Sequence, residues 1–324
     1  MLKIRSMLSG LVAGLLAISA PAQAQARYPD RPVKLVVPFS AGGQFDMVAR
    51  MLAQFASGEL HQSVIVENVT GSGGNIGAAK VANATPDGYT LLLLGGNHTI
   101  AKTLYAKPGF DVAKDFSPVS MVSITPHVVL VNAALPIHSM AELVQYAKKN
   151  PGKLSYATPG MGTSMHLTFE MIKSNYGLDI LHVPYRGGAN ALTDLAAGQV
   201  NLGIVGIAPA QEFIKAGRVR AIAITSKARS LALPNVPALQ EVGYPELNAG
   251  SWLGVAGPQG MSADIVARWQ AVVRAFQEDP ANRKRMEEMG FRVEPNTPAQ
   301  FQRFILAETE TYGKVVRDNK ISAD

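Results

Sequence analysis

The sequence predicts an α/β protein built as two lobes joined by crossing strands. Three observations predict this. Short β-branched runs alternate with helix-period stretches along most of the chain, two such series follow one another with no low-complexity linker between them, and 324 residues exceed what one hydrophobic core ordinarily organises.

Val33–Val37 reads as the first buried strand, 64–67 as the second and 89–95 (YTLLLLG) as the third. Between the first two, Val48, Met51, Leu52 and Phe55 recur at i, i+3, i+4, i+7, the apolar stripe of a helix lying on a sheet. A second series gives strands at Leu154–Thr158, 181–183, 202–205 and 219–225, with helices between them. Ser139 and Glu142 form a capping box for a helix that ends at Asn150-Pro151-Gly152, and Gly198 and Gly217 fall where helix C-caps belong. Beyond Ser262 the chain is helical: Ile265, Trp269, Val272 and Phe276 share one face. Thr297-Pro298-Ala299-Gln300 then caps a last stripe of Phe301, Phe304, Ile305 and Tyr312. Strand–helix alternation predicts mostly parallel sheets. Residues 122–131 and 252–256, extended and Pro-flanked, are the candidate crossing strands. They divide the chain into a first lobe of 25–127 plus 252–324 and a second of 128–251.

Composition narrows the function. At 47% hydrophobic and 17% charged residues the chain is a well-cored globular protein. With no cysteine, disulfides, thiol catalysis and Cys-ligated zinc are excluded. A formal charge of +6 with no basic run argues against nucleic acid as a partner. Lys3 and Arg5 precede the apolar run 7–20, and Ala22-Gln23-Ala24 supplies a small-x-small cleavage pattern. Residues 1–24 therefore read as a cleaved signal peptide rather than an uncleaved anchor, and the mature protein is expected to be soluble outside the cytoplasm. Cleavage removes two basic residues and lowers the charge to +4.

Three glycine-rich loops carry the chemistry. Pro38-Phe39-Ser40-Ala41-Gly42-Gly43-Gln44-Phe45-Asp46 joins a strand to a helix, where free N–H groups and the helix dipole make an anion site. Gly42 and Gly43 permit close approach and positive φ, Ser40 can donate a hydroxyl, and Asp46 is expected to be the N-cap. Thr70-Gly71-Ser72-Gly73-Gly74-Asn75-Ile76-Gly77 is a near miss for a dinucleotide fingerprint, with Asn75 where glycine is wanted. None of the nine tyrosines has a lysine four residues on, so a short-chain dehydrogenase is not supported and no cofactor is expected. Pro159-Gly160-Met161-Gly162-Thr163-Ser164-Met165-His166 places Thr163 and Ser164 at a helix start, where plain capping and ligand contact are equally open. Ser164 sits in no G-x-S-x-G elbow. The six histidines form no H-x-H or H-x-x-x-H pair, so neither a serine nucleophile nor a metal site is favoured, and His166 and His182 read as core or rim residues.

Motifs spread along the chain carry a resemblance. They are Tyr28-Pro29-Asp30-Arg31-Pro32, the loop from Val37-Pro38 to Asp46, Gly73-Gly74-Asn75-Ile76-Gly77, Pro86-Asp87-Gly88-Tyr89-Thr90-Leu91, Lys114-Asp115-Phe116-Ser117-Pro118-Val119, His182-Val183-Pro184-Tyr185-Arg186-Gly187 and Leu233-Pro234-Asn235-Val236-Pro237. Each is weak alone; in this order, over nearly all of 28–316, they resemble the Bug family, the substrate-binding receptors of tripartite tricarboxylate transporters. The resemblance implies a type II periplasmic binding protein fold, non-enzymatic, closing as a monomer on a small carboxylate and serving a membrane permease. It implies that the first loop (Phe39, Ser40, Gly42, Gly43, Gln44, Phe45) grips one carboxylate through backbone amides and ordered water. Gly160, Gly162, Thr163 and Ser164 then face the other end of the ligand. Asn97, His98 and Tyr185 fall at the cleft rim, and Gly206 and Ala208 on the floor of the second lobe. Gln44 and Phe45 stand where the family has small or polar residues, and 203–208 is more apolar than in many relatives. The Phe45 ring can lie beside the ligand or pack inward. Two other classes compete: an extracytoplasmic hydrolase, for which no nucleophile–base pair is visible, and a module presenting a carboxylate to a membrane sensor, which would use the same site.

Overall fold

A computed structural model describes residues 28–244, 249–318, 321 and 323; the signal sequence expected over 1–24 lies outside the described residues. The order of elements is β1 (Val33–Val37), α1 (Gln44–Leu60), β2 (Val64–Asn68), α2 (Asn75–Ala82), β3 (Thr90–Gly95), α3 (Gly96–Leu104), β4 (Phe116–Asn132), α4 (Met140–Lys149), β5 (Leu154–Thr158) and α5 (Ser164–Tyr176). It continues with β6 (Ile180–Pro184), α6 (Gly188–Ala196), β7 (Leu202–Gly206), α7 (Ile207–Lys215), β8 (Val219–Ile224), β9 (Gly250–Pro258), α8 (Ala263–Glu278), α9 (Pro280–Glu288), β10 (Arg292–Val293) and α10 (Pro298–Asp318).

Two sheets share one strand. The first runs β2-β1-β3-β9-β4 and the second β4-β7-β5-β6, with β8 also on β4. Residues Phe116 to Pro126 of β4 pair with β9, and from His127 onward β4 pairs with β7 and β8. The chain returns where the Ala249 amide donates to the Thr225 carbonyl (3.1 Å), just ahead of β9. The sheets are mixed rather than mostly parallel. β1, β2 and β3 are parallel, as are β5, β6 and β7, but β4, β8, β9 and β10 all pair antiparallel. Strand–helix alternation predicts the parallel part alone; the crossing strands come back without a helical crossover and so run the other way.

Helices cover both faces of each sheet, so the inner strands are apolar at every position. Leu91 and Leu93 of β3 pack with α1 and α8, while Leu92 and Leu94 meet α2, α3 and α10. In the second sheet Val129 and Val131 of β4 face α4 and α5, while Val128 and Leu130 face α6 and α7. That period-2 split turns the unbroken run TLLLLG into two cores instead of one. Phe301 seals the first sheet where β9 lies beside β4. It is fully buried, edge-on to Trp252 at 5.4 Å, over Gly254, where a Cβ would run into its ring. Phe301→Ala is expected to cost about 3–5 kcal/mol of unfolding free energy, measured by urea denaturation.

Candidate functional site

Parallel strands place their carboxyl ends on one edge of a sheet, and here the two such edges face each other. Each of β1, β3, β5, β6 and β7 leads into a helix whose N-terminus contributes to one small cavity. Its walls are Gly43, Gln44 and Phe45 at the start of α1, Gly96 and Asn97 of α3, Thr163, Ser164 and Met165 of α5, Gly188 of α6, and Gly206 and Pro209 of α7. Phe39, Pro159 and Ser251 complete it. No lining residue carries a charge. The N-caps of α1, α6 and α7 are glycines (Gly43, Gly187, Gly206) with no side-chain acceptor, so their first backbone N–H groups keep their donors for something else. The free volume is about 20 Å³, room for about one water.

The first loop is held by a carboxylate. Asp46 Oδ2 accepts from the Gly42 amide (3.0 Å) and from Arg50 Nε (2.8 Å). Asn68 Nδ2 donates to Asp46 Oδ1 (3.0 Å) and to the Phe39 carbonyl (2.9 Å). Burial alone would raise this carboxyl's pKa, but the bonds from Arg50, Gly42 and Asn68 outweigh it and hold it below the usual range. Asp46 is therefore not the N-cap. Gly43 occupies that position, and Asp46, three residues into the helix, reaches back over it to fix the turn. The two glycines also differ. Gly42 needs its φ of +78°, whereas Gly43 is ordinary extended backbone at −81° with space for a Cβ.

Of the expected site residues, Phe39, Gly43, Gln44, Phe45, Asn97, Thr163, Ser164 and Gly206 meet at the cavity. Phe45 packs inward on Phe39, ring centroids 4.7 Å apart, and one side of it lines the cavity. Ser40 lies at the seam between the loops, its amide donating to the Arg186 carbonyl (3.0 Å). Gly160 and Tyr185 line an adjoining vestibule of about 350 Å³ with Gly71 to Gly74 and Arg186; it meets the cavity at Phe39 and Pro159. Ala208 packs in the core beneath α1, and Gly162 lies against Leu104 and Tyr105. His98 is wholly buried. Its Nδ1 accepts from the Gly95 amide (3.0 Å), and burial pushes its pKa down to about 4, so it braces the start of α3 as a neutral ring.

Behind the loop that joins β5 to α5, His166 and His182 stack at 4.2 Å. The Gly162 amide donates to His166 Nδ1 (3.3 Å), and His182 Nε2 lies 2.8 Å from Thr158 Oγ1. They are loop supports, and among the described residues no group of three or more metal-ligating side chains is gathered. Absent from the expected site were Ser251 and His127. Ser251 Oγ lies 2.9 Å from Ser164 Oγ, and His127 Nε2 lies 3.0 Å from Ser251 Oγ and 3.2 Å from Ser164 Oγ. These groups are 37 to 124 residues apart in sequence, and no local spacing announces them.

The chain is similar in sequence and fold to known proteins. The model of the tripartite tricarboxylate transporter family receptor matches residues 48–321. The solved periplasmic binding protein BugD is 35% identical, with a TM-score of 0.88 over 91% of this chain and 99% of its own. Rpa4515 of R. palustris, solved with adipate, is also 35% identical, with a TM-score of 0.88 and the same coverage. MatC of Rhodopseudomonas palustris, solved with bound malate, is 30% identical, with a TM-score of 0.85 over 89% of this chain and 100% of its own. These are solute-binding proteins and not enzymes.

Two outcomes follow from the site's construction. A Cβ on Gly206 would collide with the Gln44 side chain across the cavity, so Gly206→Ala is expected to weaken ligand binding by about 1–3 kcal/mol, the usual cost of forcing a methyl into a packed site. Gln44→Ala in the same chain should recover part of that loss in a calorimetric double-mutant cycle. The second outcome is a loss of stability in acid. His98, His127 and His166 are buried with pKa values pushed down to about 4, about 3 and about 4. Below the unfolded imidazole's pKa the unfolded chain binds more protons than the native one. Stability therefore falls as pH drops from about 6.5 towards 4, by at most about 2 kcal/mol per ring at pH 5. Thermal melts between pH 7.5 and 4.5 measure it.

Proposed function

The chain belongs to the tripartite tricarboxylate transporter receptor family, and from that premise we propose that it captures a small carboxylate between two lobes in the periplasm and passes it to the membrane permease of such a transporter. In this reading residues 1–24 are cleaved on export, residues 25–127 with 252–324 make one lobe, and 128–251 make the other. The cavity that we assign to the ligand carries the proposal: it is uncharged, and three of the five helices that start around it, α1, α6 and α7, have first N–H groups that no side chain caps. Such a site favours an anion without needing a buried cation, since each donor is already oriented and each helix dipole is positive at that end. Adipate and malate, the acids named for the two Rhodopseudomonas structures, are of this chemical class. Closed as it is, the cavity is smaller than either acid, so uptake needs the lobes to separate and shut again. The vestibule at Gly160 and Tyr185 offers space for the part of a ligand that the cavity does not enclose.

Calorimetric titration with a panel of short mono- and dicarboxylates, each paired with its amide, tests this. An acid should bind more tightly than its amide by about 2 kcal/mol or more, because charge-assisted hydrogen bonds are roughly twice as strong as neutral ones. Equal affinity for acid and amide would overturn the assignment of an anion. Loss of uptake of the same acid on deleting the permease would support the delivery step; intact uptake would refute it.

A further inference from the structure

We propose that His127 is a positioning residue that makes the Ser164–Ser251 hydroxyl pair a hydrogen-bond donor to the captured ligand. The inference rests on the carboxylate reading above and assigns part of its specificity. Both serines line the cavity, while His127, wholly buried on β4, does not reach it and acts only through them.

Proton counting carries the step. Ser164 Oγ, Ser251 Oγ and His127 Nε2 form a triangle with sides of 2.9, 3.0 and 3.2 Å. Each hydroxyl brings one proton, and a neutral imidazole brings one at Nε2 or none. If the ring proton sat on Nδ1, Nε2 would take one hydroxyl proton and the serine–serine bond would use the other. The cavity would then see only lone pairs, which repel a carboxylate. With the proton on Nε2, the imidazole donates into the pair, one hydroxyl proton closes the serine–serine bond, and the other is left to face the cavity. Met165 Sδ, 3.6 Å from Ser251 Oγ and 3.8 Å from Ser164 Oγ, is only a weak acceptor for that spare proton and yields it to an anion.

The surroundings favour the second arrangement. Among the described residues Nδ1 of His127 is buried with no hydrogen-bond partner, and an orphaned N–H costs more there than an orphaned lone pair. Burial also keeps the ring neutral, with its pKa pushed down to about 3, so no cation competes with the hydroxyls for the ligand.

A long-range proton–nitrogen correlation spectrum of histidine-labelled protein, alone and with adipate, reads the tautomer directly. The expected result is a neutral His127 ring protonated at Nε2; a proton on Nδ1, or a charged ring, overturns the proposal. Calorimetry with adipate gives the second arm. His127→Leu should weaken binding about tenfold or more, the effect of losing one hydrogen bond to a charged group. His127→Gln, whose amide can still donate into the pair, should stay within about threefold of the parent. A leucine variant that binds like the parent, or a glutamine variant that fails as badly as leucine, refutes the role. If His127→Leu does not fold, the glutamine variant and the spectrum still decide. A parent protein that takes no carboxylate overturns the carboxylate reading instead, while the tautomer remains readable.

Discussion

The structure depends on one shared strand. β4 gives residues Phe116 to Pro126 to the first sheet and His127 to Asn132 to the second, so the relative placement of the sheets is set by continuous backbone rather than by a linker. β1 and β3 of the first sheet and β5, β6 and β7 of the second end at the same cavity. A strand's carboxyl end followed by a helix exposes N–H groups, and two such edges face to face make a donor-rich gap whatever side chains fill the loops. Pro126 stands where the strand changes sheets, at the last register position on β9; a residue with no amide proton suits a point where one ladder ends and the other begins.

Charge is kept beside the site and out of it. Asp46 is almost fully buried within one helical turn of the cavity, and a bare carboxylate there would oppose any anion entering it. Arg50, Asn68 and the Gly42 amide neutralise and hold it, so its effect is mechanical: it fixes the turn that presents Gly43 and Gln44. The histidines near the loops are neutral for the same reason of burial, His98 bracing α3 and His166 the turn before α5. In the proposed reading recognition is thereby left to dipoles and hydroxyls, whose geometry can be strict without the desolvation cost that a buried lysine or arginine would carry.

Much of this was legible in the sequence where the signal is local. The strands Val33–Val37 and Leu154–Thr158 have the bounds that their apolar runs indicate, and Ser139, Ser262 and Thr297 cap the helices that their spacing marks. The three glycine loops were recognisable as strand–helix junctions for the same reason. In sequence Asp46 reads as a cap because Asp is a good cap wherever it stands near a helix start; only the Asn68 and Arg50 contacts, from another strand and another turn, show what it holds. Gly42 and Gly43 look alike in a sequence, yet only one takes a left-handed conformation. His127 and Ser251 were invisible because their partnership with Ser164 exists only once β4, β9 and α5 are packed.

The way the halves meet explains why glycine recurs on both sides. Gly206 faces the Gln44 side chain, and Gly73 meets the Met161 carbonyl so closely that no Cβ would fit. At these two points backbone from one half accepts backbone or an amide from the other with nothing between. Where backbone meets backbone, as at Gly73 and Met161, no rotamer can change to absorb a shift. The Tyr105 hydroxyl donating to the Met161 carbonyl (3.0 Å) and the Ser40 amide donating to the Arg186 carbonyl (3.0 Å) fix the same depth from either side of the loops. A ligand held by oriented N–H groups needs such a fixed depth, since hydrogen-bond strength falls steeply with misalignment. Gly206 therefore has two effects: it leaves the start of α7 uncapped, and together with Gly73 it sets how near the two sides can come.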